Sequence, residues 1–426
     1  MSLLDESAPD AVRATEIPLR RNRDFLLLWI GAGVSMLGLR ASVVAYPLLM
    51  LWYGNSPIGA GLVGFAVLLP QLVVQLPAGA LVDRWDRRRL LIGCDIAGLL
   101  AMGAVVVMLA AGRLWLPALM VAAFIDGSAG VCYRLGERAA IGHIVPPPQL
   151  PQALGQNEAR SQAAGLLGQP TGSGLFTLGS WVPFGFTAGS HLLALVTLLF
   201  IRKNLQDRRG AATRNIRAEV IEGMRWVWRQ RFLRTAVGLI AGSNLLFQIL
   251  VLTMSLTVKE HGGSPLSVGL IGLVGGLGGM AGALAGARVV ERVRLFTVIA
   301  GALVVWTVLM TPVAFVSAPL VLGLLMAGTG FAGALMNVVV GVRQLRITPD
   351  ALQGRVNSVF SLLSFGMSSA GAFVGGVLLS AIGTWATAVS IAVAMGVLAL
   401  IAVAAPAMRD DTLAESRQNL DPAHGA

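Results

Sequence analysis

Apolar runs of roughly 20 residues alternate with short polar breaks from Phe25 to Ala405, and each run is long enough for an α-helix to cross about 30 Å of hydrocarbon. The breaks predict helix 1 over Phe25 to Tyr53, helix 2 over Ile58 to Val82, helix 3 over Leu90 to Ala111, helix 4 over Leu114 to Tyr133, helix 5 over Arg160 to Leu178 and helix 6 over Phe186 to Ile201. After a basic segment, Arg202 to Arg234, helices 7 to 12 follow over Thr235 to Val258, Leu266 to Ala287, Leu295 to Val316, Leu320 to Val342, Val356 to Ala381 and Trp385 to Ala405. The pattern predicts an all-α membrane protein with twelve transmembrane helices in two six-helix halves, 25–201 and 235–405. A linker, 202–234, joins them, and tails 1–24 and 406–426 flank them. Within the linker, Arg217 to Trp228 has amphipathic spacing suited to lying along a membrane surface. The first apolar run is too long for a signal-peptide core and lacks a small-residue cleavage site, so it reads as a retained helix.

The halves echo each other. Val145-Pro146 leads to Asn157 and then Gly172, and Thr348-Pro349 leads to Asn357 and then Gly371, which suits two parallel repeats with a cavity between them. Composition agrees: 55% of residues are hydrophobic and only 12% charged, against about a quarter in soluble domains.

The formal charge of +11 raises nucleic-acid binding, and its distribution argues against it. Only Arg113 and Lys259 among the 32 Lys and Arg fall in loops of one face, and Arg40 and Arg160 lie in or at the edge of helices; the rest fall on the other face. That bias is the positive-inside signature, so both termini are expected in the cytoplasm, with an even number of crossings and no nucleic-acid partner. Cys94 and Cys132 lie in apolar spans without metal spacing, and His143, His191, His261 and His424 are scattered. Neither a metal site nor a cofactor is expected, and with no phosphate loop or nucleophile–base pattern, neither is an enzyme.

Helix 2 leaves the membrane as Gly79-Ala80-Leu81-Val82-Asp83-Arg84-Trp85-Asp86-Arg87-Arg88-Arg89. Asp83 sits at its helix's C-terminal end, where the macrodipole disfavours a negative charge, so it calls for nearby cations or another helix's N-terminus. Arg84 and Arg87 to Arg89 supply cations at once, Asp86 is expected in a tight turn, and Gly79 removes bulk where a neighbouring helix could approach. The run resembles the signature loop between helices 2 and 3 of the major facilitator superfamily, with Asp86 in place of the usual turn glycine. The resemblance implies a conformational latch: Asp83 facing the start of helix 11 near Asn357, with Arg134 or Arg138 at the end of helix 4 as partner. The plainer reading of the same run is a positive-inside turn. In the second half the corresponding stretch, Gly282 to Arg294, carries Gly286 where the acid would stand.

Ile125-Asp126-Gly127 with Val145-Pro146, and Thr348-Pro349-Asp350 through Gly354-Arg355-Val356-Asn357-Ser358, resemble the branch of that superfamily containing macrolide-efflux pumps and the enterobactin exporter. This implies export of a small molecule across a bacterial inner membrane. Two departures put proton antiport in doubt. Leu37-Gly38 is followed by Leu39 and Arg40 where many drug:proton antiporters carry a helix 1 acid, and the helix 5 motif survives only as Gly168-Gln169-Pro170-Thr171-Gly172-Ser173.

Ionisable groups at membrane depth cost several kcal/mol, so each is a functional candidate. Asp126, about 12 Å inside helix 4, is the candidate proton or cation site, with a helix-packing acid as the alternative. Arg40 must meet an anion, because arginine keeps its proton; it either pairs with Asp126, snorkels outward, or contacts an anionic substrate. Asp95 is expected to pair with the basic cluster below it, and Glu158 and Arg160 to sit at the interface. Asn244, Gln248 and Asn337 are candidates for substrate contact from the second half, with interhelical bonding as the alternative; Ser361, Ser364 and Ser368 read as close packing. The expected protein is a monomeric exporter of an amphipathic drug, macrolide or siderophore, driven by protons through Asp126. Alternatives are a proton-independent lysophospholipid or metabolite facilitator, and a non-transporting sensor.

Overall fold

The computed structural model describes residues 18–203, 205, 216–348 and 350–404, and every regular element among them is helical. The first half contains α1 (Arg23–Trp52), α2 (Pro57–Val73 and Gln75–Arg84, joined through Val74), α3 (Arg87–Ala110), α4 (Leu116–Ile144), α5 (Leu150–Leu178) and α6 (Val182–Leu199). The linker contributes a short helix, Ile216–Arg229, and the second half α7 (Arg231–Glu260), α8 (Pro265–Val289), α9 (Leu295–Met310) and α10 (Pro319–Ile347). The last helical stretch, Asp350–Ala404, is two helices, α11 (350–382) and α12 (384–404), broken at Gly383. With φ 75°, ψ 178°, Gly383 occupies backbone space closed to side-chain-bearing residues, so one residue reverses the chain.

Nine described helices are long and apolar enough to span a membrane taken singly. The count becomes twelve because α11 and α12 run together, α2 is split at Val74, and α5 is too polar in its first turns to qualify. The main departure from the sequence reading lies here. The stretch 134–159 was expected as a loop, yet α4 runs on to Ile144, α5 starts at Leu150, and only Val145 to Gln149 connect them. Glu137 and Arg134 of this stretch face other helices, where Glu137 pairs with Arg160 and Arg134 donates to Gln71, while Arg138 and Glu158 lie on exposed helix faces, so none of them ends a helix.

Packing relies on small residues, because lipid gives apolar side chains no reason to prefer each other over acyl chains. A Cβ on Gly278 or Gly282 of α8 would overlap the backbone of Ala327 or Phe331 in α10, and one on Gly330 would overlap Gly275. Trp306 of α9 closes this half's core, donating to Thr329 O at 2.9 Å and meeting Phe247 edge-on with centroids 4.7 Å apart.

The halves meet at the end of the bundle away from the arginines. A Cβ on Gly61 of α2 would collide with Ala372 O and Gly376 of α11, and one on Gly269 of α8 with Ser173 of α5. Lys259, at the end of α7, donates to Leu51 O and Asn55 Oδ1 beyond α1, both at 2.5 Å. Toward the basic end the α2–α11 seam loosens. Leu72 still lies beside Gly366, but nothing approaches within 4 Å of a Cβ built on Gly79. The close helix contact expected at Gly79 is therefore absent in this conformation, because the halves have diverged by that depth.

The linker helix docks on this basic end of the second half. Val227 is fully buried with Leu233, Val237, Val356 and Val359, and Glu222 pairs with Arg355 at 2.6 Å. Its exposed apolar side, Ile221 and Trp228, is left for the membrane surface.

Replacing Gly278 or Gly282 by alanine should push α8 from α10 and lower the melting temperature of the solubilised protein, overpacking of this kind costing about 1–3 kcal/mol. Gly301→Ala, with nothing within 4 Å of the new methyl group, should leave it unchanged or slightly raised.

Candidate functional site

Four helices of the first half converge on one buried polar chain. His191 of α6 lies between two acids, with Nδ1 3.0 Å from Asp95 Oδ1 of α3 and Nε2 3.0 Å from Asp126 Oδ1 of α4. Ser35 of α1 lies 3.4 Å from Asp95 Oδ1 and 3.3 Å from His191 Nδ1, and Ser42 donates to Asp126 Oδ2 at 3.1 Å. Asp95, Asp126 and His191 are 0%, 1% and 3% exposed, and Asp95 Oδ2 has no hydrogen-bond partner. Gly98, one turn along from Asp95, makes room for the ring: a Cβ there would overlap the imidazole. Gly38 and Gly31 likewise let α1 approach Ser190 and Thr197 of α6.

The geometry fixes the proton count. A carboxylate only accepts hydrogen bonds, so each ring nitrogen needs a proton between itself and its acid. Either the ring is an imidazolium between two carboxylates, or it is neutral and one acid is protonated. Both arrangements leave a single net negative charge, which one further proton removes.

A second ionic knot lies nearer the basic end. Arg160 of α5 donates to Glu137 of α4 at 2.6 Å and to Trp29 O of α1 at 2.9 Å, with its guanidinium 5.8 Å from the centre of the Trp29 ring. Both charged side chains are buried, and removing either partner of such a pair typically costs 3–5 kcal/mol.

Several expected placements change. Asp95 turns inward to His191 instead of down to the basic cluster, because the face of α3 that carries it packs on α6. Arg160 is buried three turns into α5 and is no interfacial residue, whereas Glu158 is exposed and accepts from Gln162. Arg40 forms no ion pair with Asp126, whose oxygens are taken by Ser42 and His191. Asp86 has φ −60° and caps α3 by accepting from Arg89 N at 2.8 Å, so it needs no left-handed turn. His191 and Glu137 escaped sequence reasoning, since their partners sit on other helices. The available signal for His191 was an ionisable residue within an apolar run; Glu137, between Arg134 and Arg138, gave none.

The Asp83 side chain lies outside the described residues. Among its expected companions, Arg84 and Arg138 are exposed, and the Arg89 side chain is exposed as well. Arg88 donates to Leu198 O and Leu199 O at 3.3 and 3.0 Å, and Arg87 to Ala139 O and Leu205 O, beside His143. These arginines cap the ends of α4 and α6. Arg134 donates to Gln71 Oε1 at 3.0 Å, about 18 Å along α2 from Asp83.

Each half holds a cavity, and the polar chain lines the one in the first half. One, of about 100 Å³ in the first half, is lined by Arg40, Asp95, Asp126, Arg134, Glu137 and His191 among apolar neighbours. The other, of about 420 Å³ in the second half, includes Asn244, Asn337, Ser243 and Trp306, with Gln169 reaching in from α5. Gln248 is not part of that lining; its stem packs beneath Gly371 of α11. Among the described residues no cluster of His, Cys, Asp or Glu could hold a metal ion.

Comparison with known proteins agrees with this architecture. The sequence pattern of the Major Facilitator Superfamily matches residues 28–371. The multidrug efflux pump Tap of Mycolicibacterium fortuitum is 28% identical over 417 residues, covering 92% of this chain and 96% of that protein. Tap of Mycobacterium bovis BCG is 29% identical over 418 residues with the same coverage. Among solved structures, the nucleoside transporter NupG superposes with a TM-score of 0.74 at 13% identity, over 89% of this chain and 99% of that one. An inward-facing bacterial homologue of the human lysosomal transporter Spinster gives 0.70 at 13% identity, over 91% and 97%. These last two likenesses speak for the fold. With the family pattern spanning most of its length and the twelve-helix architecture in place, the chain belongs to the Major Facilitator Superfamily and is a multi-pass membrane transporter of small molecules, not an enzyme.

Proposed function

We propose that this transporter exports a small amphipathic molecule, of the kind represented by drugs, macrolides or siderophores, from a bacterial cytoplasm in exchange for protons. The half 25–201 rocks against the half 235–405 to expose the cavities alternately to each side. The efflux-pump relatives, similar along nearly the whole chain, support the direction and the drug-like cargo. The arginine bias supports an orientation with both termini in the cytoplasm of the inner membrane. In that orientation the seams at Gly61, Gly269 and Lys259 close the outer side, and the conformation is inward-open.

Proton exchange rests on one observation, the chain Asp95–His191–Asp126. An uncompensated acid at membrane depth costs about 2.5–3.5 kcal/mol by insertion scales, so the charge on this cluster weighs on any step that seals it from water. Asp126 itself lines the first-half cavity and accepts from Ser42, and we assign it the exchanged proton. A proton arriving from outside neutralises the cluster and permits closure; its release inside restores the negative charge as cargo binds. The missing helix 1 acid, replaced by Leu39 and Arg40, favours a second reading, a facilitator that moves lysophospholipid or a metabolite without protons.

Efflux of dyes, macrolides and siderophores from cells with and without an imposed pH gradient separates the two. Under the proton reading, Asp126→Asn and His191→Gln each lower gradient-driven export by at least about tenfold, a loss of about 1.4 kcal/mol in coupling. Unchanged pH dependence in Asp126→Asn would instead establish the facilitator. For orientation, cysteines placed at Ser180 and His261, in a background with Cys94 and Cys132 changed to serine, should react with impermeant maleimide from outside intact cells. Labelling only after the cells are opened would reverse the topology.

A further inference from the structure

Each acid facing the first-half cavity already has a cation or an imidazole: Asp95 and Asp126 share His191, and Glu137 holds Arg160. Arg40 and Arg134 face the same cavity without an acid. Arg134 reaches only the neutral Gln71, and Arg40 forms no hydrogen bond or ion pair among the described residues. Both guanidiniums line this one cavity. Arg40 stands 12 residues before the end of α1, about 18 Å from the outer end, too deep to reach the headgroup region. Arginine stays charged at any accessible pH, so the two guanidiniums lining this cavity exceed the single net negative charge of the Asp95–His191–Asp126 chain and call for a negative partner from outside the protein.

The remaining wall says what else that partner carries. Met36, Leu39, Val43, Val67 and Leu68 line the cavity beside the arginines, and Tyr46 closes its inner end. We propose that this cavity binds an amphipathic anion, with a carboxylate, sulfonate or phosphate monoester held by Arg40 and Arg134 and an apolar body against α1 and α2. This deepens the export reading by naming its cargo class, and it depends on that reading only in calling the ligand a cargo. Two oxygens of any of these anions suit the guanidinium fork, which lysine matches in charge but not in shape.

The test is binding, which needs no turnover. The full-length protein in phosphatidylcholine nanodiscs is equilibrated with naphthoate, naphthylmethanol or naphthylmethylammonium, which differ only in the polar group, and empty nanodiscs give the background. Naphthoate should bind at least about tenfold more tightly than the other two, and Arg40→Gln and Arg134→Gln should each remove about tenfold of that affinity, with Arg40→Lys retaining part of it. Competition by added phosphatidylglycerol would support the anion site and identify a lipid headgroup as its source. Tighter binding of naphthylmethylammonium, or unchanged naphthoate binding in both glutamine variants that remain monodisperse, would overturn the proposal. A protein that binds naphthoate but ignores a pH gradient would sink proton exchange and leave this inference standing.

Discussion

Hydrocarbon offers no hydrogen bonds, so a polar group that enters the membrane must find its partner in the protein, in water or in a bound ligand. The rest of this structure follows from that condition. The imidazole of His191 answers two acids at once, Arg160 answers Glu137 and a backbone carbonyl, and Arg87 and Arg88 cover the exposed carbonyls where α4 and α6 end. The same condition explains how apolar surfaces are held together. Contacts between helices depend on close approach, and glycine is placed wherever two backbones must nearly touch.

The division of labour between the halves is uneven. Within the described residues, the buried ionisable groups belong to α3, α4, α5 and α6, whereas the larger cavity of the second half is lined by amides, hydroxyls and Trp306. The first half is thus equipped to handle charge, and the second half to offer a neutral, adaptable wall. Gln169, reaching from α5 into the second-half cavity, links the two.

Much of the fold was legible from the chain because a membrane imposes one length and one polarity on each crossing. The break at Gly383 needed nothing beyond that rule. The rule failed between helices 4 and 5, where Arg134, Glu137 and Arg138 read as loop and Arg160 as the edge of helix 5, although α4 runs on to Ile144 and α5 begins at Leu150. Charge signals an exit from the membrane only if it is unpaired, and pairing between helices cannot be seen along one chain. His191 was overlooked for the same reason. Its sequence neighbours are Ser190 and Leu192, and only the packing of α6 on α3 and α4 gives it meaning. Asp126 stood out because it lies deep inside an apolar run, a property that local sequence does record.

The seam at Gly61, Ala372 and Gly376 is made of backbone atoms in direct contact. Dispersion between such surfaces fades over a fraction of an ångström, so a slight parting forfeits much of the attraction there. A joint of this kind is either shut or fully undone. Ions and water therefore meet no half-open leak on that side, which is what distinguishes a carrier from a pore.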